Sequence, residues 1–110
     1  PWLAAWDGDY YAEPNLSVDL LDMRSIYPFD LSSLTHGRFG LGRTGKLLII
    51  EPDVEYGGVG AEIAASIAEI MPGVKIRRLG ARRETISARA DRHHLYLPSD
   101  QEVRDAIVNF

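Results

Sequence analysis

The sequence of 110 residues contains no cysteine. That excludes a disulfide framework, a zinc knuckle and a thiol nucleophile, and it fits a reducing compartment. No apolar run reaches the roughly 18 residues that a membrane-spanning helix needs. The longest candidate, Gly60 to Met71, is interrupted by Glu62, Ser66 and Glu69, so no membrane partner is expected. No basic segment leads into an apolar stretch at the start, so no signal peptide is legible and a cytoplasmic location is expected. The chain opens on Pro1 rather than Met, which suggests a trimmed or excised polypeptide. Histidine is scarce: His36, His93 and His94 show no carboxylate–histidine spacing for zinc, and adjacent histidines on a strand point to opposite faces. None of the serines sits in a G-x-S-x-G turn. A self-contained catalytic or metal site is not visible.

What remains is an ordinary globular composition, 45% apolar and 25% charged. One domain of this size buries roughly 65% of its unfolded surface and can hold one core. The net charge of −4 hides two blocks. Residues 1–36 carry six acids against Arg24 alone, whereas residues 75–92 carry seven bases against Glu84 and Asp91. A basic block of this kind can pair with the acidic half of the same chain or meet an acidic partner surface. The isoelectric point of 5.3 and the single aromatic near the block, Tyr96, argue against nucleic acid as the partner.

Periodicity divides the chain. Residues 1–15 read as an N-terminal arm or the remnant of a longer domain, and 16–110 as the domain. Leu16 to Met23 predicts a strand. Asp30 or Ser32 is placed to cap a helical turn reaching Leu34. Thr35 to Gly45, with four glycines, predicts a loop. Lys46 to Ile50 is a continuous apolar run, the mark of a strand buried on both faces, and Pro52 to Gly60 a second turn. Ala61 to Met71 predicts a helix with Ile63, Ile67 and Ile70 on one face, Ala61, Ala64, Ala65 and Ala68 on a small-residue side, and a narrow polar stripe of Glu62, Ser66 and Glu69. So little polar surface predicts contacts on two sides: the sheet on one, another helix or subunit on the other. Pro72-Gly73 ends the helix, and Val74 to Leu79 predicts a strand. Glu84 to Tyr96 is ambiguous. Ser99 and Glu102 form a capping box for a terminal helix that buries Val103, Ala106, Ile107 and Phe110. Alternating strand and helix predict an α/β sandwich with a largely parallel sheet.

Two glycine motifs invite a nucleotide reading. Gly40-Leu-Gly42-Arg-Thr-Gly45 has the dinucleotide spacing but precedes a strand, and Leu47 stands where a P-loop needs Ser or Thr. Gly57-Gly58-Val59-Gly60 does follow a strand and open a helix, where free amides could hold an anion. It has no third glycine near Ile63 and no acid about 20 residues on, so a close-packing turn is expected, with an anionic ligand as the alternative.

Two stretches carry a family resemblance. Asp22-Met-Arg24-Ser-Ile-Tyr-Pro28-Phe-Asp30 resembles the D-x-R-x-x-x-P-x-D segment of the transketolase C-terminal domain. Gly45-Lys-Leu-Leu-Ile-Ile-Glu51, followed by Gly57-Gly58-Val-Gly60-Ala61-Glu62-Ile63, resembles the same domain's strand–turn–helix. The likeness is closest to the beta subunit of the decarboxylating component of 2-oxo acid dehydrogenase complexes, and Leu97-Pro98-Ser99 and the final Asn109-Phe110 also fit it. It implies a three-layer α/β/α unit with a mostly parallel, mixed sheet. Thiamine diphosphate and Mg would serve the parent enzyme in oxidative decarboxylation of a 2-oxo acid, with no cofactor, metal or catalytic residue on this segment. Gly57, Gly58, Gly60, Ala61 and Glu62 would form the tight turn and interface helix. Ala64, Ala65, Ile67 and Ala68 would continue that interface, and Phe110 would lie near a docking surface. The implied partners are a second copy, the alpha subunit of the same enzyme and the lipoyl-bearing acyltransferase. The family domain usually opens with a strand and a helix ahead of the strand at Val18, for which residues 1–15 are too short; that would leave a sheet edge or face uncovered. A further expectation is a non-catalytic interaction protein derived from such a subunit.

Overall fold

The computed structural model describes residues 17–36 and 40–110. The arm at 1–15 lies outside the described residues. In chain order the elements are α1 (Leu31–Thr35), α2 (Leu41–Thr44), β1 (Lys46–Val54), α3 (Val59–Ile70), β2 (Lys75–Ala81), a 3-10 helix (Ala90–Leu95) and α4 (Asp100–Val108). β1 and β2 pair in parallel, as the alternation predicts, with α3 as the crossover.

The pairing is regular from Lys46↔Lys75 to Ile50↔Leu79 and resumes at Val54↔Ala81. Four steps along β1 thus match two along β2 in the last stretch, and Pro52 falls inside it. Proline has no N–H for the ladder and is tolerated where pairing lapses. The strand therefore runs on through the expected turn to Val54, and only Glu55 to Gly58 remain to reverse the chain.

Among the described residues, the buried apolar side chains are Leu41 of α2, Ile67 of α3, and Val103 and Ala106 of α4. Ile67 has no exposed surface. α4 begins where its capping box places it: the Ser99 hydroxyl accepts from the Glu102 N–H, and the Glu102 carboxylate accepts from the Ser99 N–H at 2.7 Å.

Four expectations are corrected. No strand forms between Ser17 and Met23; a strand exists only when a neighbour supplies its hydrogen bonds, and among the described residues none does so here. The expected loop contains the helical turn α2, because burying Leu41 and closing the turn with Gly45 at φ +64° outweigh its glycine content. β1 is not buried on both faces: Leu47, Leu48 and Ile49 are half-buried and Ile50 is 36% exposed. His93 and His94 lie in the 3-10 helix rather than on a strand.

Candidate subunit interface

The turn from β1 into α3 is built by backbone that only glycine leaves uncrowded. Gly58 is the N-cap of α3 and has no side chain to satisfy the helix's first amides. Glu51 of β1 supplies the missing acceptor: its Oε2 accepts from the Gly60 N–H at 2.8 Å. A carboxylate here also complements the positive end of the helix dipole. The approach is close. A Cβ on Gly58 would lie 2.5 Å from the Val54 carbonyl oxygen, and one on Gly60 would lie 2.8 Å from the Glu51 carboxyl carbon and 3.1 Å from Ile49 Cγ2. Glu51 Oε1 is buried without a partner. Thus the position where an external anion was an alternative expectation already holds a carboxylate of the chain itself. Spacing alone did not reveal Glu51; the signal was an acid near the end of a strand, ahead of a glycine turn with no Ser, Thr, Asp or Asn at the cap.

The ten residues expected at an interface separate by burial. Gly58, Gly60 and Ile67 are buried inside the chain, on the side of α3 that meets β1. Ala61 and Ala64 are half-buried at the margins. Ala65 and Ala68 are exposed, as are Glu62 and Glu69 of the polar stripe. Gly57, at φ +80°, is exposed with open space around it. Ile70 is 54% exposed, against the expectation that it shares the buried face. Three residues of helix turn it about 60° away from Ile67, off the centre of the covered stripe. The outer side of α3 is therefore a row of small residues, Ala61, Ala65 and Ala68, while exposed Val59 and Ile70, at the two ends of the helix, lie on the opposite side from that row.

Phe110, the tenth, sits at the start of the sheet. Lys46 Nζ donates to its backbone oxygen at 2.8 Å. Lys46 and Lys75, register partners at the first rung of the sheet, hold their ammonium groups 5.9 and 5.5 Å from the centre of its ring. Cation–π attraction from two strands fixes the half-buried ring. No pattern in the sequence announces this contact, because the two lysines are 29 positions apart and meet only through the register (75 − 46).

Among the described residues, the contacts of the basic block are local. Arg78 donates to the Glu55 carbonyl, Arg83 stacks 4.4 Å from the Tyr56 ring centre, Arg82 pairs with Glu102 at 3.2 Å, and Arg89 pairs with Asp91 at 2.9 Å. Among the acids of residues 17–36, Asp19 pairs with Arg43 and Asp22 with Arg24. Asp30 caps α1 and accepts from the Ser32 and Ser33 hydroxyls, which hold its carboxyl down at about 2. The Ser99 N–H lowers the Glu102 carboxyl in the same way. Among the described residues no three His, Asp or Glu side chains converge as a metal site, and no helix is long and apolar enough to cross a membrane.

Residues 9–103 match the family profile described as "Transketolase, C-terminal domain". The chain belongs to the transketolase C-terminal domain family. Its parallel sheet and flanking helices are those of the family's α/β fold. The chain is 37% identical over 54 residues to the 2-oxoisovalerate dehydrogenase subunit beta, mitochondrial, of Chaetomium thermophilum, covering 49% of this chain and 11% of that one. It is 27% identical over 90 residues to the pyruvate dehydrogenase E1 component subunit beta of Staphylococcus epidermidis, covering 79% of this chain and 26% of that one. It is 32% identical over 54 residues to the 2-oxoisovalerate dehydrogenase subunit beta of Bacillus subtilis, covering 49% and 16% respectively. The chain thus spans about a quarter or less of the curated relatives it matches. No solved structure matches it.

Proposed function

We propose that the chain is an assembly domain of a beta-type subunit in a thiamine diphosphate-dependent 2-oxo acid dehydrogenase, its task being to join subunits rather than to react with substrate. The observation that carries this reading is the two-sided character of α3. Its inner side is closed over Ile67, while its outer side leaves exposed Ala65 and Ala68, with half-buried Ala61 in line, as a shallow track with Glu62 and Glu69 along one side. Small side chains let a second helix approach closely, and covering exposed apolar surface is favourable. The partner is a second copy or the alpha subunit of the same enzyme, with the lipoyl-bearing acyltransferase as a further contact near Phe110.

On this reading the described residues are not the cofactor's binding site. The N-terminus of α3 holds the Glu51 carboxylate, and the described acids are dispersed. On this reading thiamine diphosphate and Mg are held elsewhere in the parent enzyme, where oxidative decarboxylation would take place.

Light scattering coupled to size exclusion tests the reading. The native chain at micromolar concentration elutes as a dimer or larger, and Ala65→Arg shifts it to monomer while leaving the melting temperature of the dilute monomer unchanged, since that side chain is exposed. A native chain that is a monomer, both alone and with an alpha subunit present, would remove the assembly role.

A further inference from the structure

The arginines of the basic block bear on one hydroxyl in particular. Arg82-Arg83-Glu84-Thr85-Ile86 places guanidinium groups three and two residues ahead of a threonine and an aliphatic side chain directly after it. No other serine or threonine of the chain has arginine at both of those positions. The segment falls between β2, which ends at Ala81, and the 3-10 helix, which begins at Ala90, and it is neither helix nor strand. Thr85 is exposed, and Ile86 beside it is 65% exposed.

Tyr96 sets the shape of this loop. Its backbone oxygen accepts from the Arg82 N–H at 2.8 Å, and its phenol oxygen accepts from the Ser87 N–H at 3.0 Å. One tyrosine thus holds both feet of the loop, and residues 83–86 bridge them. The hydroxyls on either side in the fold are committed: Ser87 Oγ accepts from the Arg89 N–H at 3.2 Å, and Ser99 Oγ accepts from the Glu102 N–H at 3.2 Å. Arg82 donates to the Leu95 carbonyl and the Glu102 carboxylate, and Arg83 lies over the Tyr56 ring. Contacts between exposed groups of this kind are weak. Both guanidinium groups can therefore turn to carboxylates of a partner while the fold stays intact.

We propose that Thr85 is a phosphorylation site, read by a protein kinase whose substrate groove carries carboxylates for the two arginines ahead of the acceptor and an apolar pocket for the residue after it. Kinases choose substrates by charge patterns of this sort, and the guanidinium–carboxylate fork gives each arginine position geometric specificity. In the transfer, Thr85 Oγ1 bonds to the γ-phosphorus of Mg-ATP. The bond from that phosphorus to the oxygen bridging it to the β-phosphate breaks, the hydroxyl proton passes to the kinase's catalytic aspartate, and ADP leaves. The product carries a charge of about −1.5 to −2 within an otherwise cationic block. It also stands next in sequence to the arginines that recognised it, as an acceptor in place of Glu102 and Tyr56.

The test incubates the whole chain with labelled Mg-ATP and the catalytic subunit of cyclic-AMP-dependent protein kinase, a probe with this charge preference. The native chain takes up phosphate stoichiometrically, and fragment mass spectrometry places it on Thr85. Thr85→Ala abolishes uptake, and Thr85→Ser, which keeps the hydroxyl, retains it. Arg83→Ala lowers kcat/KM of the kinase for this chain at least about ten-fold, through loss of one charged fork. Its melting temperature is unchanged, since that side chain is exposed. A native chain that takes up no label, label on another hydroxyl, or an Arg83→Ala chain modified as fast as the native one overturns the proposal.

Discussion

Gly57 and Gly58 are neighbours that need to be glycine for different physical reasons. Gly57 has φ +80°, and a Cβ placed there would meet nothing within 4 Å. Its constraint is conformational, and Gly57→Ala is expected to cost about 1–2 kcal/mol. Gly58 has φ −74°, which any residue adopts, but a Cβ there would face the Val54 carbonyl at 2.5 Å. Its constraint is crowding, and Gly58→Ala is expected to cost about 1–3 kcal/mol. Asparagine distinguishes the two in denaturant titrations. It relieves the loss at 57, because Asn tolerates positive φ, and deepens it at 58. Asp30 yields a pH prediction. The Ser32 and Ser33 hydroxyls lower its carboxyl from 3.8 to about 2. A depressed folded-state value stabilises the folded form fully above the unfolded value and is lost as pH falls from 3.8 through about 2. Carboxyl NMR should place the Asp30 midpoint near that low value, and Ser32→Ala combined with Ser33→Ala should return it toward 3.8. A midpoint indifferent to both substitutions would contradict the hydroxyl explanation.

Among the elements, α3 and α4 owe their stability to different things. α4 is short and polar outside, and its capping box closes the first turn. Ser99→Ala should cost about 1 kcal/mol, visible as a lower denaturation midpoint. α3 depends on its inner face. Ile67→Ala should cost about 2–5 kcal/mol, because it opens a cavity at a side chain with no exposed surface. Ala65→Ser, on the bare outer side, should stay within about 0.5 kcal/mol in the isolated monomer. A large loss at Ala65 in dilute solution would mean that the outer side is covered within one chain. Both helices were legible in the sequence, since their apolar spacing and caps are local. The strand expected at Leu16–Met23 was not realised over its described part, because alternation shows which residues suit a strand and not whether a partner is alongside.

For the molecule as a whole, the described apolar side chains divide: Leu41, Ile67, Val103 and Ala106 are buried, while Leu20, Ile26, Ile50, Val59 and Ile70 are exposed. Anything that binds only the folded chain raises its stability by mass action. The thermal midpoint should therefore rise as protein concentration is raised from about 1 to 100 μM in a scanning-calorimetry series, and Ala65→Arg should flatten that dependence. A midpoint independent of concentration in the native chain would show that the folded unit is complete by itself.

Local chemistry in the amino-acid order was enough to specify the family motifs, the parallel strand–helix–strand unit, the α4 capping box and the helical turn begun by Asp30. Each depends on neighbours within a few positions, so spacing encodes it. Contacts between distant positions were settled only in three dimensions: Glu51 capping α3, Lys46 and Lys75 enclosing Phe110, and Pro52 absorbed by a lapse in the ladder. Register and packing create these from residues that carry no mark of one another along the chain, because a hydrogen bond or a cavity is a property of a pair of surfaces.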